Sequence, residues 1–305
     1  MRKLGSNRRY LASAICIGAL ATAAVAKNWT PWGASSPVTS LNTASLEGCP
    51  NFSPDGDSLY FASGRMGSGA LGGLDIWVSH RTASGGWGAP TNLGAPINSA
   101  QDDFCPTAVP GQRLYFVSKR PPYTDGDIYV AKMGKSGWQT PVRLSSNINS
   151  SLEEASPSYY EDEQGRPVLY FSRIQSGLHK IYYSIHNGVD WAPANLAAPG
   201  ALFSTSSSVS DGRPNVSKDG LEIVWESTRT GTLGGTDIWR ATRSSTDDPW
   251  ANAQHLGTAV NTAANEGRPG MSRDGSTLVF HRSGGTGGSL DLHISTRSKI
   301  TGSAD

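Results

Sequence analysis

The residues best placed to do chemistry sit immediately before five regularly spaced prolines. That position holds Cys49, Cys105, Ser156, Arg213 and Arg268 in turn, so whatever pattern imposes the proline leaves this residue free to vary. Arg213 and Arg268 are a pair of permanently charged guanidinium groups, suited to a carboxylate, sulfate or phosphate. The competing role is local pairing with the nearby acids Asp211 and Glu266. Cys49 and Cys105 occupy the same slot, and two outcomes stay open for them, a disulfide or two free thiols. No histidine falls at a spacing that would complete a metal site with them, and no metal or cofactor is expected.

Two residues before each of those positions stands an acid: Glu47, Asp103, Glu154, Asp211 and Glu266. Further on comes an arginine: Arg65, Arg120, Arg173, Arg229 and Arg282. Each acid has a repeating basic counterpart, which favours structural ion pairs. A ring of acids could also meet a ligand at a channel mouth, so all five are kept as candidates for ligand binding. His281 and Glu226 replace Ala62 of the first repeat, just after an apolar strand, and form the weak candidate pair for proton transfer. No serine elbow, phosphate loop or zinc motif is present.

The elements that must position these residues follow from the repeat. Glu47 to Trp77 runs through Asn51-Phe52-Ser53-Pro54-Asp55-Gly56, Leu59-Tyr60-Phe61 and Gly72-Gly73-Leu74-Asp75-Ile76-Trp77. The same order returns near residues 103, 154, 211 and 266, a spacing of roughly 50 to 60 residues that marks a repeat architecture. Each unit reads as four antiparallel strands. The first opens at the acid and ends in a turn of Asp-Gly type, as at 54–56, 218–220 and 273–275, where glycine accepts positive φ. The second is the aromatic arm, and the third is the Asp-Ile-aromatic element. The fourth carries Trp87, Trp138, Trp191 or Trp250, read with Trp77 and Trp239 as packing between units. The fifth unit stops at Thr296 with no such strand, while residues of about 30–43, with Trp32, Pro37, Leu41 and Asn42, reproduce it ahead of the first unit. Supplying that strand from the N-terminus closes a ring and removes two exposed edges. The expectation is an all-β, five-bladed β-propeller of four-stranded antiparallel blades, one domain over 27–305.

The first 26 residues hold Arg2, Lys3, Arg8 and Arg9 and no acid, then an apolar run from Leu11 to Ala24 and Ala24-Val25-Ala26. This is the pattern of a secretory signal peptide cleaved after Ala26, placing the mature chain in the periplasm or outside the cell. The 26 basic residues less those four leave 22 against 25 acidic ones, a balance of about −3. That excludes the concentrated basic face needed for nucleic acid, and no later stretch is apolar enough for integral membrane association.

The units "CPNFSPDGDSLYFASGR…GGLDIW" and "RPNVSKDGLEIVWESTR…GGTDIW" resemble the WD-like propeller repeats of TolB-type periplasmic proteins. The resemblance covers nearly the whole mature chain and implies the propeller fold. The sixth blade and separate N-terminal domain of TolB have no counterpart here, so no role in its system is implied. With near-regular repeats and no recognisable catalytic set, the leading expectation is a non-enzymatic propeller. It would bind a protein or carbohydrate, or a small anionic ligand, through its channel-mouth face. The alternative is an enzyme of hydrolase or lyase type, acting there on an acidic or sugar-like substrate.

Overall fold

The computed structural model describes residues 29–67, 69–197 and 202–300. The expected signal peptide, residues 1–26, lies outside them. After a short strand β1 (Ser36–Pro37), twenty further strands make five sheets around one axis. Blade 1 is β2 (Glu47–Phe52), β3 (Ser58–Ser63), β4 (Asp75–His80) and β5 (Thr91–Asn92). Blade 2 is β6 (Asp103–Val109), β7 (Arg113–Ser118) and β8 (Asp127–Gly134), edged by β9 (Gly137–Trp138) and β10 (Val142–Arg143). Blade 3 is β11 (Glu154–Glu161), β12 (Pro167–Gln175), β13 (Leu178–Ile185) and β14 (Asn195–Leu196). Blade 4 is β15 (Asp211–Val216), β16 (Glu222–Ser227), β17 (Asp237–Thr242) and β18 (Ala251–His255). Blade 5 is β19 (Glu266–Met271), β20 (Thr277–Ser283) and β21 (Leu290–Thr296), and its fourth strand is β1, antiparallel to β21 with Ser36 opposite Ile294. The five-bladed ring is therefore closed by the N-terminal strand.

Apolar side chains on both faces of each sheet hold neighbouring blades together. The second strand of each blade contributes one fully buried aromatic: Phe61, Phe116, Phe171, Trp225 and Phe280. Removing each from water is worth about 2–3 kcal/mol. One such seam joins blades 1 and 2 through Ile76, Ile97, Leu114 and Phe116. Of the expected packing tryptophans, Trp77, Trp191 and Trp250 are buried, and Trp87, Trp138 and Trp239 pack partly buried against the core clusters.

The ring acids are fully buried and held within their own blades. Arg65–Glu47 closes at 3.1 Å, Arg120–Asp103 at 2.8 Å, Arg173–Glu154 at 2.6 Å, Arg229–Asp211 at 2.8 Å and Arg282–Glu266 at 2.6 Å. A Ser or Thr upstream adds a backbone N–H to each carboxylate, four positions before it at Thr43, Ser99, Ser150 and Thr262 and seven before it at Ser204. A carboxylate can be buried this way because its lone pairs are filled by charge-assisted donors.

Candidate functional site

The first strand of every blade carries a β-bulge at the proline, where the pairing register with the second strand slips. The residue before the proline is driven to positive φ: 50° at Cys49, Cys105 and Arg213, 51° at Ser156 and 49° at Arg268. A non-glycine residue adopts that conformation only under constraint. Here it turns the one variable side chain of each blade toward the axis. Together with the prolines these five residues line a narrow waist of the central channel, about 20 Å³ in volume. Cys49 and Cys105 are joined in a disulfide on one side of it. Ser156 donates its hydroxyl to the Cys105 sulfur at 3.4 Å, and Arg213 and Arg268 complete the circle.

Arg213 and Arg268 do not pair with Asp211 and Glu266, which are already taken by Arg229 and Arg282. Both converge on Glu226, from β16. The Arg213 guanidinium forms an ion pair with one Glu226 oxygen, and the backbone N–H of Arg268 donates to the other at 3.1 Å. The Nε and Nη1 groups of Arg268 are buried with no hydrogen-bond partner among the described residues. His281 and His179 flank the cluster, each with a buried Nδ1 that has no hydrogen-bond partner among the described residues.

Three glycines open the space these side chains fill. A Cβ on Gly267 would run into the Glu226 carboxylate and stand 2.9 Å from His281 Nε2. One on Gly212 would collide with the His179 side chain, and one on Gly48 would lie 3.2 Å from Arg268 Nη1. Blades 2 and 3 carry Phe104 and Ala155 at the same repeat position. The polar cluster thus occupies the seams around blades 4 and 5.

Its electrostatics are one-sided. Burial would raise the Glu226 carboxyl, but the positive charge of Arg213, with smaller help from His179, His281 and Arg268, holds it down at about 2. It is an anion at any physiological pH and a poor proton donor. Burial, then the Arg213 charge, lowers His179 to about 3, and burial, then Arg268, lowers His281 to about 3. Both imidazoles are neutral. Burial, and then Arg213, also lowers Arg268 to about 9. Two guanidinium groups and two neutral imidazoles therefore surround one directly paired carboxylate, Glu226, with Glu153 the smallest of the charges acting on Arg268, and donors are left unsatisfied among the described residues.

On the hairpin-turn side of the waist the channel widens into a bowl of about 300 Å³. Asn51, Thr107 and Asn215 line both spaces. No group of three or more His, Cys, Asp or Glu among the described residues could hold a metal ion.

Sequence spacing brought Arg213, Arg268, Glu226 and His281 to attention, and the structure gathers all four. It separates them from the five ring acids, which are locked into blade-internal pairs. His179 was missed, although it precedes Lys180, which stands where the other blades have Asp75, Asp127, Asp237 and Asp291. That break in the repeat was the available clue. The Lys180 ammonium replaces the aspartate's role by donating to the carbonyls of Ser204, Ser206 and Val209 at 2.7–2.9 Å.

No family model matches the chain, and no curated protein matches it. Solved structures do. A thermostable family-43 glycoside hydrolase superposes with a TM-score of 0.58 at 14% identity, over 87% of this chain and 92% of its own. The endo-arabinase from Bacteroides thetaiotaomicron gives 0.57 at 17%, over 89% and 99%. The catalytic domain of a family-62 α-L-arabinofuranosidase from Coprinopsis cinerea gives 0.56 at 13%, over 89% and 97%. At such identities the likeness is one of fold.

These matches correct two expectations. The TolB-type resemblance gives way to glycoside hydrolase propellers as the structural neighbours. Asp-Gly hairpins and aromatic arms are what any four-stranded blade needs, so they did not single out a family. The non-enzymatic binding role is overturned as well. It rested on regular blades without a familiar catalytic motif, whereas the neighbours named here are glycoside hydrolases.

Proposed function

We propose that the protein is a carbohydrate-active enzyme of hydrolase or lyase type that works on an acidic sugar at its central channel. In this reading Arg213 and Arg268 hold the sugar's carboxylate. The observation that carries it is the Arg268 guanidinium, buried beside Arg213 with Nε and Nη1 unpartnered among the described residues, while the one carboxylate in direct contact, Glu226, is taken by Arg213. Buried cationic donors left open cost stability unless an anion completes them. A substrate carboxylate accepts those donors and adds the missing negative charge. The names of the neighbouring structures, an endo-arabinase and arabinofuranosidases among them, support action on a glycan.

The chemistry available from this chain's own residues is limited and specific. Glu226 stays ionised and fixes Arg213. His281 is neutral beside the anchor and can accept a proton, more readily once a bound carboxylate offsets the Arg268 charge. Glycoside hydrolysis ordinarily uses two carboxyl groups flanking the bond. The ring acids are consumed in ion pairs, Glu226 is tied to Arg213, and Glu153, whose charge also reaches Arg268, pairs with Lys119 at 3.6 Å. That weights the proposal toward proton abstraction next to a neutralised carboxylate, the lyase type. The basic, apolar, small-residue start of the chain supports export, where a polysaccharide substrate would be met, and the Cys49–Cys105 bridge suits an oxidising compartment.

The test is turnover of a panel of acidic polysaccharides (polygalacturonate, alginate, glucuronoxylan) against neutral arabinan. New reducing ends and the ultraviolet absorbance of unsaturated products are followed together. Activity confined to acidic substrates and lowered at least a hundredfold in Arg268→Ala is expected. Turnover of arabinan alone, or full activity in that variant, refutes the assignment.

A further inference from the structure

We propose that the bowl on the hairpin-turn face is the seat of the sugar ring, and that an acidic monosaccharide unit enters from that face with its carboxylate directed through the waist. This rests on the anion anchor argued above and adds the side of entry and the residues that hold the ring. The volumes decide it. A space of about 20 Å³ accepts little more than one water, and so only the tip of a substituent. The bowl, at about 300 Å³, reaches the lower bound of ordinary small-ligand sites. No sugar ring fits among the arginines, whereas one fits beside them.

The bowl has the lining a sugar requires. Its floor is apolar, formed by Phe52, Val109, Val216 and Met271, each nearly buried. At the junction with the waist stand Asn51 and Asn215, on equivalent positions of blades 1 and 4. The Asn215 Oδ1 accepts the Met271 N–H at 3.0 Å, which fixes the amide and leaves its Nδ2 as a free donor. The Asn51 amide makes no hydrogen bond to the described residues. Two open amides at the neck supply donors and acceptors for ring hydroxyls. The rim carries Lys218 and Arg273 against Glu161, while Asp162 is occupied by Arg166 at 2.7 Å. Its balance is again positive, which favours an acidic unit over a neutral one.

The experiment is calorimetric titration of the full chain with galacturonate, glucuronate, galactose and acetate as probes. The chain is compared with Arg268→Ala, Asn51→Ala and Ala108→Trp, whose indole would fill the bowl from its wall. A uronate should bind at least tenfold more tightly than acetate or galactose. Asn51→Ala should weaken the uronate about tenfold and leave acetate unchanged, and Ala108→Trp should abolish uronate binding alone. Loss of acetate and uronate binding together in Arg268→Ala supports the anchor. If acetate and uronate bind equally, or Ala108→Trp leaves uronate affinity intact with its melting temperature preserved, the bowl is not the sugar seat although the anchor stands. Unchanged binding of both probes in Arg268→Ala refutes the anchor and the proposal with it. Should Ala108→Trp fail to fold, Asn51→Ala and the ratio of uronate to acetate affinity decide.

Discussion

Lowering the pH from 7 to 5 should destabilise this protein through two histidines buried as neutral groups. His179 and His281 are both drawn down to about 3, in each case by burial first and by an arginine second. In the unfolded chain they titrate near 6.5. At pH 5 the unfolded state has bound protons that the folded state refuses, so the stability these neutral imidazoles confer is lost as pH falls. For each, the gap between 6.5 and pH 5 is worth about 2 kcal/mol, hence about 4 kcal/mol for the two. Glu226, held at about 2, adds its own loss only below the ordinary carboxylate range. His293, lowered to about 4 by burial and then by Arg282, acts in the same direction. Urea unfolding followed by tryptophan fluorescence at pH 7, 6 and 5 measures the effect, and the melting temperature should fall by roughly 10 °C. His281→Ala, which installs the residue blade 1 carries in that slot, should recover about 2 kcal/mol of the pH-dependent loss. Equal unfolding free energies at pH 7 and pH 5 would show that the histidines are not buried as neutral groups, and would remove the electrostatic basis of the site.

Other outcomes follow from the same packing. Glu266→Gln leaves the Arg282 guanidinium without its buried carboxylate and should cost about 3–5 kcal/mol, read by urea unfolding. Gly267→Ala pushes a methyl group into Glu226 and His281 and should cost about 1–3 kcal/mol, with a weaker anion site in the acetate titration. Reduction of the Cys49–Cys105 bridge, which spans 56 residues, should lower stability by about 4 kcal/mol, seen as a drop in melting temperature with reductant and its absence in the double serine variant. Deleting residues 29–43 removes the strand that closes blade 5 on β21 and should convert the monodisperse ring into an aggregating species by light scattering.

The ring was legible in the sequence because its makers repeat. The acid of each first strand must meet an arginine and the backbone N–H of a Ser or Thr upstream, and such residues recur in all five blades whatever the protein does. The site was legible only as departures from that repeat. Arg213 and Arg268 stand out because the other three blades put small side chains before the proline, and Glu226 and His281 because blade 1 has alanine in their slot. The three glycines that make room for them were not legible as such, since a glycine in a turn-rich chain reads as chain flexibility. Gly48, Gly212 and Gly267 matter because a neighbouring blade's side chain lies where their Cβ would be, a fact of the closed ring.

The bowl was hidden for the opposite reason. Asn51 and Asn215 are ordinary occupants of a repeated position, and nothing in either blade marks them. Their amides face one another's channel only because a bulge at each proline advances the register before the strand runs on to the turn. A propeller sums its sites across blades, so a residue's chemistry depends on partners that lie far away in the sequence. The same logic explains the concentration of charge on one side of the axis. Blades 1 and 2 spend the variable slot on a disulfide, blade 3 on a serine, and blades 4 and 5 on arginines. With a covalent staple on one wall and a cationic pair on the other, a ligand in the waist can be held from one side only. An anionic group entering the waist would therefore meet its counter-charges on one wall only, and that asymmetry would fix its orientation.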